Sequence, residues 1–478
     1  MHNTNEAQLL SQFEAQVARI AAAGGLSKMV IGEGRRYRTA YGEQVLTYAD
    51  YVASGRALSV VEDFVRDEVL PFYANTHTEG SYCGGFSTRL RAAARARIGA
   101  ACGAGAEYAT IFCGSGATAG LNRLVHLFGV REAVARGDRP LVLIGPYEHH
   151  SNILPWRESG AEVVEIPEAA NGGPDLAVLR QRLKEASGRS LVIGSFSAAS
   201  NVTGICTDVV AVTQALNDAG AICVWDYAGG GPYLPISMQP AAGLRVDAVV
   251  ASPHKFVGGP GASGVLIVRR DAVQTRIPSV PGGGTVRFVS PWGQDYAEAL
   301  EAREEAGTPN VLGDIRAALA FIVKDAIGTD AMRQRHADLI RRARAVWDDL
   351  PSLRLLGKDT ATDRLPVFAI RIETPDGSEA IHHQAVTRAL SECFGVQARA
   401  GCACAGPYGH RLLGIEEQSS DRIRADILQG DLSSRPGWTR LNFSALMDDA
   451  KADRIISAVA TIARDPARFK EVLAQQAA

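Results

Sequence analysis

The chain has 478 residues, of which 46% are hydrophobic and 21% are charged. This composition is typical of a globular protein and excludes a long disordered chain. The 50 basic and 52 acidic residues give a net charge of −2. No overall field therefore draws the protein to nucleic acid or to an anionic membrane, and we expect neither as a partner. The 49 glycines, about a tenth of the chain, exceed the usual share of about 7% and indicate many tight turns.

The eight cysteines are irregularly spaced and form no paired C-x-x-C pattern, so we expect no metal site. The first residues are polar and lack the layout of a signal peptide. No run of 18 apolar residues occurs, which predicts no bilayer-spanning segment. We therefore expect a cytoplasmic protein whose thiols are reduced.

The predicted elements begin with a helix in the first 25 residues, where an apolar stripe from Leu9 to Ile20 ends at Gly24-Gly25. From about residue 105 to 270, short apolar runs alternate with helical or loop segments. This alternation predicts a mostly parallel sheet covered by helices. The seven predicted strands are Tyr108–Cys113, Leu141–Ile144, Val163–Ile166, Leu191–Gly194, Ile222–Trp225, Asp247–Ala251 and Gly264–Val268. Ligands of such sheets bind beyond the carboxyl ends of the strands, so the residues that follow each strand are the candidates for a site.

The last third of the chain predicts a smaller α+β domain. Met332–Leu350 is expected to be one long helix, and Val367–Glu373 a half-exposed strand because its apolar residues alternate. A helix over Glu379–Phe394 and a second strand from Val396 are expected to follow. A domain junction is predicted near Glu305–Gly313. The predicted division is an N-terminal segment packing on the small domain, a large cofactor-binding domain and a small domain with the cysteine loop, over residues 1–50, 51–312 and 313–478.

A glycine-rich turn follows the first predicted strand of the sheet, in Gly114-Ser115-Gly116-Ala117-Thr118-Ala119-Gly120. Glycines before a helix N-terminus favour an anion site, because free N–H groups and the positive end of the helix dipole face the ligand. The same stretch fits the dinucleotide fingerprint G-x-G-x-x-A. A turn that binds nothing is the third interpretation.

Two further loops place polar side chains after strands. Glu148-His149-His150-Ser151-Asn152 offers either metal ligands or an imidazole that stacks on a flat ring, and the sequence shows no convincing third metal ligand nearby. Ser200-Asn201-Val202-Thr203-Gly204 offers an amide at the strand ends or is an ordinary turn.

An acid and a lysine follow two more strands, as Asp226 and as Lys255 within Ser252-Pro253-His254-Lys255. Burying both at the end of a sheet is costly unless they have a function. Together with an anion site they suit pyridoxal phosphate, which needs a lysine for covalent attachment, an acid facing its ring nitrogen and donors for its phosphate. Ser252 and His254 flank the lysine and could reach that phosphate.

Six motifs resemble, in order, those of the class V aminotransferase family of fold-type I pyridoxal-phosphate enzymes, and within it those of SufS-type cysteine desulfurases. The motifs are Gly116-Ala117-Thr118, Glu148 to Trp156, Ser200 to Gly204, Ser252 to Lys255, Ala306-Gly307-Thr308-Pro309-Asn310 and Arg399 to Ala405. The resemblance runs from about Asn75 to Asp453. It implies an α/β fold with a large domain built on a mostly parallel seven-stranded sheet, a smaller α+β C-terminal domain, and a homodimer with shared active sites.

The resemblance also implies a role for each motif. Lys255 would carry the cofactor, Asp226 would face its ring nitrogen, His149 would stack on the ring and Asn201 would bond its phenolic oxygen. The implied phosphate ligands are Ala117, Thr118, Ser252, His254 and, reaching the partner subunit's phosphate, Thr308. The implied substrate-binding residues are Arg440, Arg399 and Asn152. Cys404 matches the cysteine that forms a persulfide, and the catalytic residues would be Lys255, Cys404 and His149.

Three departures from the family pattern stand out. Gly229 occupies the position of a glutamine that bonds the cofactor, which leaves Tyr227, His150 or water to replace it, or a different reaction. Cys402 lies two residues before Cys404 and could resolve or relay sulfur. The segment Asp421–Trp438 is longer than usual and able to cover the site entrance.

These residues predict a pyridoxal-phosphate-dependent cysteine desulfurase that converts L-cysteine to L-alanine, forms a persulfide on Cys404 and serves a sulfur-acceptor protein. Gly229 favours an alternative, another class V enzyme such as a C–S or C–Se lyase acting on a cysteine-like amino acid. A non-catalytic sulfur carrier or scaffold and a nicotinamide dehydrogenase are the remaining alternatives. Cys402-x-Cys404 by itself also fits half of a metal site or a strained disulfide.

Overall fold

A computed structural model describes residues 6–361, 363–374, 380–431, 434–469 and 471–472. Its α-helices are α1 (Glu6–Ala22), α2 (Ser59–Phe64), α3 (Tyr82–Ala101), α4 (Ala117–Leu127), α5 (Val130–Ala135), α6 (Leu154–Arg157), α7 (Leu176–Glu185), α8 (Val209–Asp218), α9 (Leu300–Glu304), α10 (Val311–Ile327), α11 (Thr329–Trp347), α12 (His383–Phe394), α13 (Gly406–Leu413), α14 (Glu417–Leu428) and α15 (Asp449–Arg464). Its strands are β1 (Arg36–Thr39), β2 (Gly42–Val45), β3 (Thr47–Tyr48), β4 (Tyr108–Phe112), β5 (Leu141–Ile144), β6 (Glu162–Glu165), β7 (Val192–Ser197), β8 (Ile222–Asp226), β9 (Ala248–Ala251), β10 (Val265–Arg269), β11 (Val286–Ser290), β12 (Gly293–Tyr296), β13 (Leu353–Leu355), β14 (Val367–Ile372), β15 (Val396–Gln397), β16 (Arg399–Gly401) and β17 (Trp438–Asn442).

The seven strands predicted between residues 105 and 270 form one sheet in the order β4-β10-β9-β8-β7-β5-β6. Strands β5 to β9 are parallel, and β10 is antiparallel to both of its neighbours. Most residues of the central strands are buried because helices cover both faces. The predicted α/β fold is therefore confirmed, with β7 extending three residues further than predicted.

The small domain is built on a second sheet with the order β13-β14-β17-β16. Its core packs α11, α12 and α15 against that sheet, as the predicted long helix requires. The prediction that Val367–Glu373 is half exposed is wrong, because β14 lies inside the sheet and most of its residues are buried. Val367 and Ala369 pack against large-domain residues on the opposite face from the small-domain core. The helix predicted over Glu379–Phe394 begins at His383, and residues 375–379 lie outside the described residues.

The N-terminal segment does not pack as one unit on the small domain, which corrects that prediction. Helix α1 packs against α3 and α10, and Leu9, Leu10 and Phe13 join the large-domain core. Strand β3 instead pairs in parallel with β15 of the small domain. The segment divides because its first helix carries an apolar stripe that packs in the large-domain core, whereas β3 forms a two-stranded sheet with β15.

The boundary between the two domains lies after α10, so the predicted boundary between residues 312 and 313 is wrong. Its residues from Ala317 to Val323 are buried within the large-domain core, whereas α11 packs in the small-domain core. The two helices meet at Gly328, whose φ of 81° allows the turn between them. None of the helices in the described ranges is long and apolar enough to cross a membrane.

Candidate active site

A cavity of about 240 Å³ lies at the carboxyl ends of the parallel strands, where the small-domain sheet faces the large domain. All predicted site residues except Asn152 and Thr308 line it. The topology explains this meeting, because β7, β8 and β9 run parallel and end at the same edge of the sheet.

The glycine-rich turn forms one end of the cavity. Gly116 has a φ of 83°, and α4 begins at the next residue, with the Ala117 N–H donating to Ser252 Oγ over 3.0 Å. A Cβ atom on Gly116 would lie 2.7 Å from Ser252 Oγ and 2.9 Å from His254 Cε1, so only glycine leaves this space open. The Thr118 and Ser151 hydroxyls are 2.7 Å apart. Hydroxyl groups and a helix N-terminus thus surround a space suited to an anion.

Asp226 and Lys255 lie deeper in the cavity, at the ends of β8 and β9. Asp226 is 3% exposed, and its Oδ1 accepts a 2.7 Å hydrogen bond from the Ala228 N–H. Burial raises the pKa of Asp226, while this hydrogen bond and the nearby Lys255 oppose the rise. Burial also lowers the pKa of Lys255, helped by the positive charges of Arg440 and Arg399. A lysine with a lowered pKa is more readily neutral and therefore nucleophilic.

The His149 imidazole lines the same cavity in a neutral state. Its Nδ1 accepts a hydrogen bond from the Ser151 N–H over 3.1 Å. Burial and the charge of Lys255 lower the pKa of His149 to about 4. An uncharged aromatic ring in this position is suited to stacking on a flat ligand.

Glu148 anchors the loop that carries His149 by hydrogen bonds to neighbouring residues. Its carboxylate accepts hydrogen bonds from Ser197 N at 2.8 Å, Ser197 Oγ at 2.5 Å and Asn152 Nδ2 at 2.7 Å. Burial raises the pKa of Glu148 to about 7, and these donors oppose the rise. The hydrogen bonds join the loop to β7, which places His149 over the cavity.

Two arginines enter the cavity from adjacent strands of the small-domain sheet. Arg399 on β16 lies directly opposite Arg440 on β17. Arg440 is 4% exposed and donates from Nη2 to Asp50 Oδ1 over 2.7 Å and from Nη1 to the Asn201 carbonyl over 3.1 Å. These bonds engage two of the five guanidinium N–H groups, so donors remain for a carboxylate ligand.

The loop after β16 brings Cys404 to the cavity mouth. Cys404 is exposed, and Cys402 is partly buried. Ala403 and Cys404 have φ values of 52° and 55°, which are unusual for residues with a side chain. The Asn201 Nδ2 donates to the Ala403 carbonyl over 2.8 Å and joins this loop to the large domain.

These residues fit pyridoxal phosphate. The space that a Cβ on Gly116 would fill is bordered by hydroxyl and imidazole groups suited to a phosphate, and a neutral imidazole, a buried acid and a lysine follow it along the cavity. The Asn201 Oδ1 is buried without a hydrogen-bond partner among the described residues, although buried polar atoms are usually paired. Such an atom indicates a cavity arranged for a polar ligand.

Two predicted site residues lie away from the cavity. Asn152 is fully buried, and its side chain bonds Glu148, Ser195 and Trp156, so the structure corrects its predicted contact with substrate. Thr308 is exposed and does not line the cavity of its own chain.

The residues suggested as replacements for the family's glutamine also lie elsewhere. Tyr227 is buried in the large-domain core, and the His150 ring bonds the cysteine loop. Gly229 itself lines the cavity. The longer segment after residue 421 continues α14, which has no buried residue, and none of its described residues up to Gly437 lines the cavity.

Asp50 and Glu148 are the polar residues whose roles the sequence did not reveal. Asp50 follows β3 and meets Arg440, a residue 390 positions away. Glu148 lies in a recognised motif, but the two donors of Ser197 reach it only when β7 packs beside it. Among the described residues, no group of three or more histidine, cysteine, aspartate or glutamate side chains is placed to hold a metal ion.

Comparisons with known proteins agree with this geometry. Residues 47–427 match the family model described as aminotransferase class-V. A cysteine desulfurase of Enterobacter sp. strain 638 is 31% identical over 367 residues, which cover 76% of this chain and 85% of the relative. A probable cysteine desulfurase of Vibrio cholerae serotype O1 is 30% identical over 366 residues, with the same two shares.

Solved structures show the same fold. The apo cysteine desulfurase of Thermococcus onnurineus NA1 superposes with a TM-score of 0.70 at 23% identity, covering 88% of this chain and 95% of that one. A cysteine desulfurase of Escherichia coli gives a TM-score of 0.66 at 22% identity, covering 89% and 95% of the two chains.

Proposed function

This chain belongs to the class-V aminotransferase family, and on that premise we propose that it is a pyridoxal-phosphate-dependent cysteine desulfurase. It converts L-cysteine to L-alanine and keeps the sulfur as a persulfide on Cys404. One observation carries the proposal: an exposed cysteine lies in the wall of a cavity that also holds Lys255 and Arg440. The names of the relatives support the same reaction.

The cofactor's binding follows from the groups along the cavity. Ala117, Thr118, Ser252 and His254 would hold the phosphate, Asp226 would face the ring nitrogen, and His149 would cover the ring. Asn201 would bond the phenolic oxygen, and Lys255 would attach the cofactor covalently. When bound, pyridoxal phosphate withdraws electrons from the substrate's α-carbon and makes its proton acidic.

Three residues of the chain then act on the substrate. Arg440 binds the α-carboxylate with the N–H groups that Asp50 and Asn201 leave free, and Arg399 adds positive charge beside it. Lys255, whose pKa burial lowers, takes the α-proton at Nζ. The hydrogen bonds of Asp50 hold Arg440 in place, so the carboxylate is oriented before the proton moves.

Cys404 accepts the sulfur. Its thiolate attacks the substrate's sulfur, an S–S bond forms, the Cβ–S bond breaks, and the electron pair stays on Cβ, which gains a proton. The sum is L-cysteine plus the Cys404 thiol giving L-alanine plus the Cys404 persulfide. The sulfur is oxidised and the carbon reduced within one reaction, so no external oxidant is needed.

Product analysis with cysteine variants tests the proposal. The holoenzyme is incubated with L-cysteine, and alanine, pyruvate and protein-bound persulfide are quantified together. Cys404→Ser is expected to lower alanine formation by about 100-fold or more and to remove the persulfide, because the acceptor is lost. Cys393→Ser, which changes a thiol packed beside the small-domain core, is the matched control and keeps native activity. Native alanine formation by Cys404→Ser would sink the proposal.

Gly229 favours a second candidate, a C–S or C–Se lyase. The residue lines the cavity without a side chain, and an added Cβ would lie 3.4 Å from the Ala199 carbonyl oxygen, in ordinary contact. A side chain that could bond the cofactor is therefore missing where there is room for one. β-Elimination yields pyruvate, ammonia and hydrogen sulfide instead of alanine, so the same product analysis separates the two reactions.

The proposal includes a homodimer, a sulfur acceptor and a cytoplasmic setting. Thr308 is exposed away from its own cavity, which suits a residue that reaches the partner subunit's phosphate. The exposure of Cys404 supports transfer of the sulfur to an acceptor protein. All eight cysteines are free thiols, which suits a reducing compartment.

A further inference from the structure

The loop that carries Cys404 is attached to the large domain at two points by one residue, His150. The His150 main-chain N–H donates to the Cys404 carbonyl oxygen over 2.8 Å. The Gly406 N–H donates to Nε2 of the His150 ring over 2.9 Å. His150 therefore bonds the residue that bears the thiol and the first residue of α13, two positions further on.

The conformation of this loop requires such support. Ala403 and Cys404 both adopt left-handed φ values, which residues with a Cβ atom avoid unless their surroundings impose them. The His150 ring also lies close to the loop, since a Cβ on Gly406 would be 3.0 Å from Nε2. The only other hydrogen bond from the strand ends to this stretch, within the described residues, is that of Asn201 to Ala403.

The bond from Gly406 sets the state of the His150 ring. A ring nitrogen accepts a hydrogen bond only when it carries no proton, so Nε2 is unprotonated. Burial and the positive charge of Arg157 on α6 lower the pKa of His150 and favour this state. The neighbouring titratable ring is that of His149, whose centroid is 6.2 Å away, and Cys404 lies on the loop that His150 bonds. Arg411 of α13 is paired with Glu165.

We propose that His150 is a positioning residue that clamps the Cys404 loop through its main-chain N–H and its neutral ring. The clamp holds the thiol at the cavity mouth, where the sulfur transfer requires it. Protonation at Nε2 replaces the acceptor by a donor, breaks the bond to Gly406 and releases one side of the loop. This inference rests on the proposed function, because it assigns His150 to the step in which Cys404 takes the sulfur.

Two substitutions in the holoenzyme test the clamp. His150→Ala keeps the main-chain N–H and removes the ring acceptor, whereas His150→Gln places an amide oxygen at a similar reach. Amide hydrogen exchange of the peptide containing Gly406 is expected to become about tenfold faster in His150→Ala and to return towards the native rate in His150→Gln. This measurement needs no substrate.

Kinetics separate positioning from a general structural role. His150→Ala is expected to lower kcat for alanine formation about tenfold while KM for cysteine stays within about threefold, because the thiol acts only after the substrate has bound. His150→Gln is expected to recover most of kcat. On the acid side, wild-type kcat is expected to fall as His150 is protonated, and His150→Gln, which shares every other titrating group, is expected to lack that fall.

The outcomes distinguish the two proposals. Native exchange and native kcat in His150→Ala would overturn the clamp, and so would a failure of His150→Gln to restore either quantity. An equal fall of kcat at low pH in the wild type and in His150→Gln would also overturn the clamp. This comparison tests the clamp even if His150→Ala does not fold. Faster exchange in His150→Ala together with a wild-type protein that makes no alanine from cysteine would support the clamp and rule out the desulfurase proposal.

Discussion

Gly116→Ala is the most informative change in the proposed cofactor cavity, because two separate costs can be worked out for it. The backbone of Gly116, with a φ of 83° and a ψ of −157°, lies in a region almost exclusive to glycine and costs a residue with a Cβ about 1–3 kcal/mol. The new Cβ would also lie 2.7 Å from Ser252 Oγ, and relieving such an overlap costs about 1–3 kcal/mol. We therefore expect these two costs together to lower the free energy of unfolding by about 2–6 kcal/mol.

The matched control is Gly103→Ala. Gly103 has a φ of 65°, and nothing lies within 4 Å of the Cβ that alanine would add, so this variant pays the backbone cost alone. Urea unfolding of both variants at one pH then gives, as the difference between them, the cost of the overlap together with that of the more restricted backbone at Gly116. Displacing Ser252 also breaks its bond with the Ala117 N–H, a loss of about 1 kcal/mol or somewhat more.

Cofactor binding supplies the second readout. We expect pyridoxal phosphate, titrated by its absorption band, to bind Gly116→Ala about tenfold or more weakly than wild type, because the anion space is filled and its donors are displaced. Gly103→Ala is expected to bind it normally. If Gly116→Ala bound the cofactor as tightly as Gly103→Ala, the assignment of this turn to the phosphate would be refuted.

Two further predictions concern buried polar groups. Asn152→Ala is expected to lower the free energy of unfolding by about 3 kcal/mol, because Glu148 and Trp156 each lose a buried partner. The KM for cysteine is expected to change less than about threefold. A large rise in KM with native stability would instead restore the predicted contact of Asn152 with the substrate. His336 is 3% exposed, and burial lowers its pKa to about 4, so the unfolded chain binds a proton there between pH 6.5 and 4 that the folded protein does not. His336 is therefore expected to contribute about 3 kcal/mol to the loss of stability on acidification across this range. Urea unfolding of His336→Leu is expected to show a correspondingly weaker pH dependence, and equal pH dependence in the two proteins would contradict this.

The parallel sheet could be read from the chain because each of its strands is a short apolar run with polar or glycine neighbours. Burial on both faces leaves that pattern in consecutive residues, so β5 was predicted with its observed ends. Strand β14 shows the limit of such patterns. Its alternating residues indicated one exposed face, but that face packs on the large domain, which local periodicity does not reveal.

The prediction of a domain junction near Glu305–Gly313 was wrong for a related reason, because local sequence does not show which core a helix joins. The Gly307 to Asn310 turn interrupts the chain and favours a border there, yet α10 returns to the large-domain core. A signal was present, because α10 is apolar on nearly all sides and such helices are usually buried. The choice of domain still depends on contacts with α3 and α1, which are distant in sequence.

Local order along the chain is enough to place the glycine turn, Asp226 and Lys255 at one edge of the large-domain sheet, because each follows a strand of that sheet. The cysteine loop follows β16 of the small-domain sheet, and it reaches the same cavity only when the two domains pack together. Asp50 bonds Arg440 across 390 positions, and His150 bonds the Cys404 loop across 254 and 256. Strand and turn propensities act over a few neighbouring residues, whereas hydrogen bonds between distant segments exist only after the two domains have packed together.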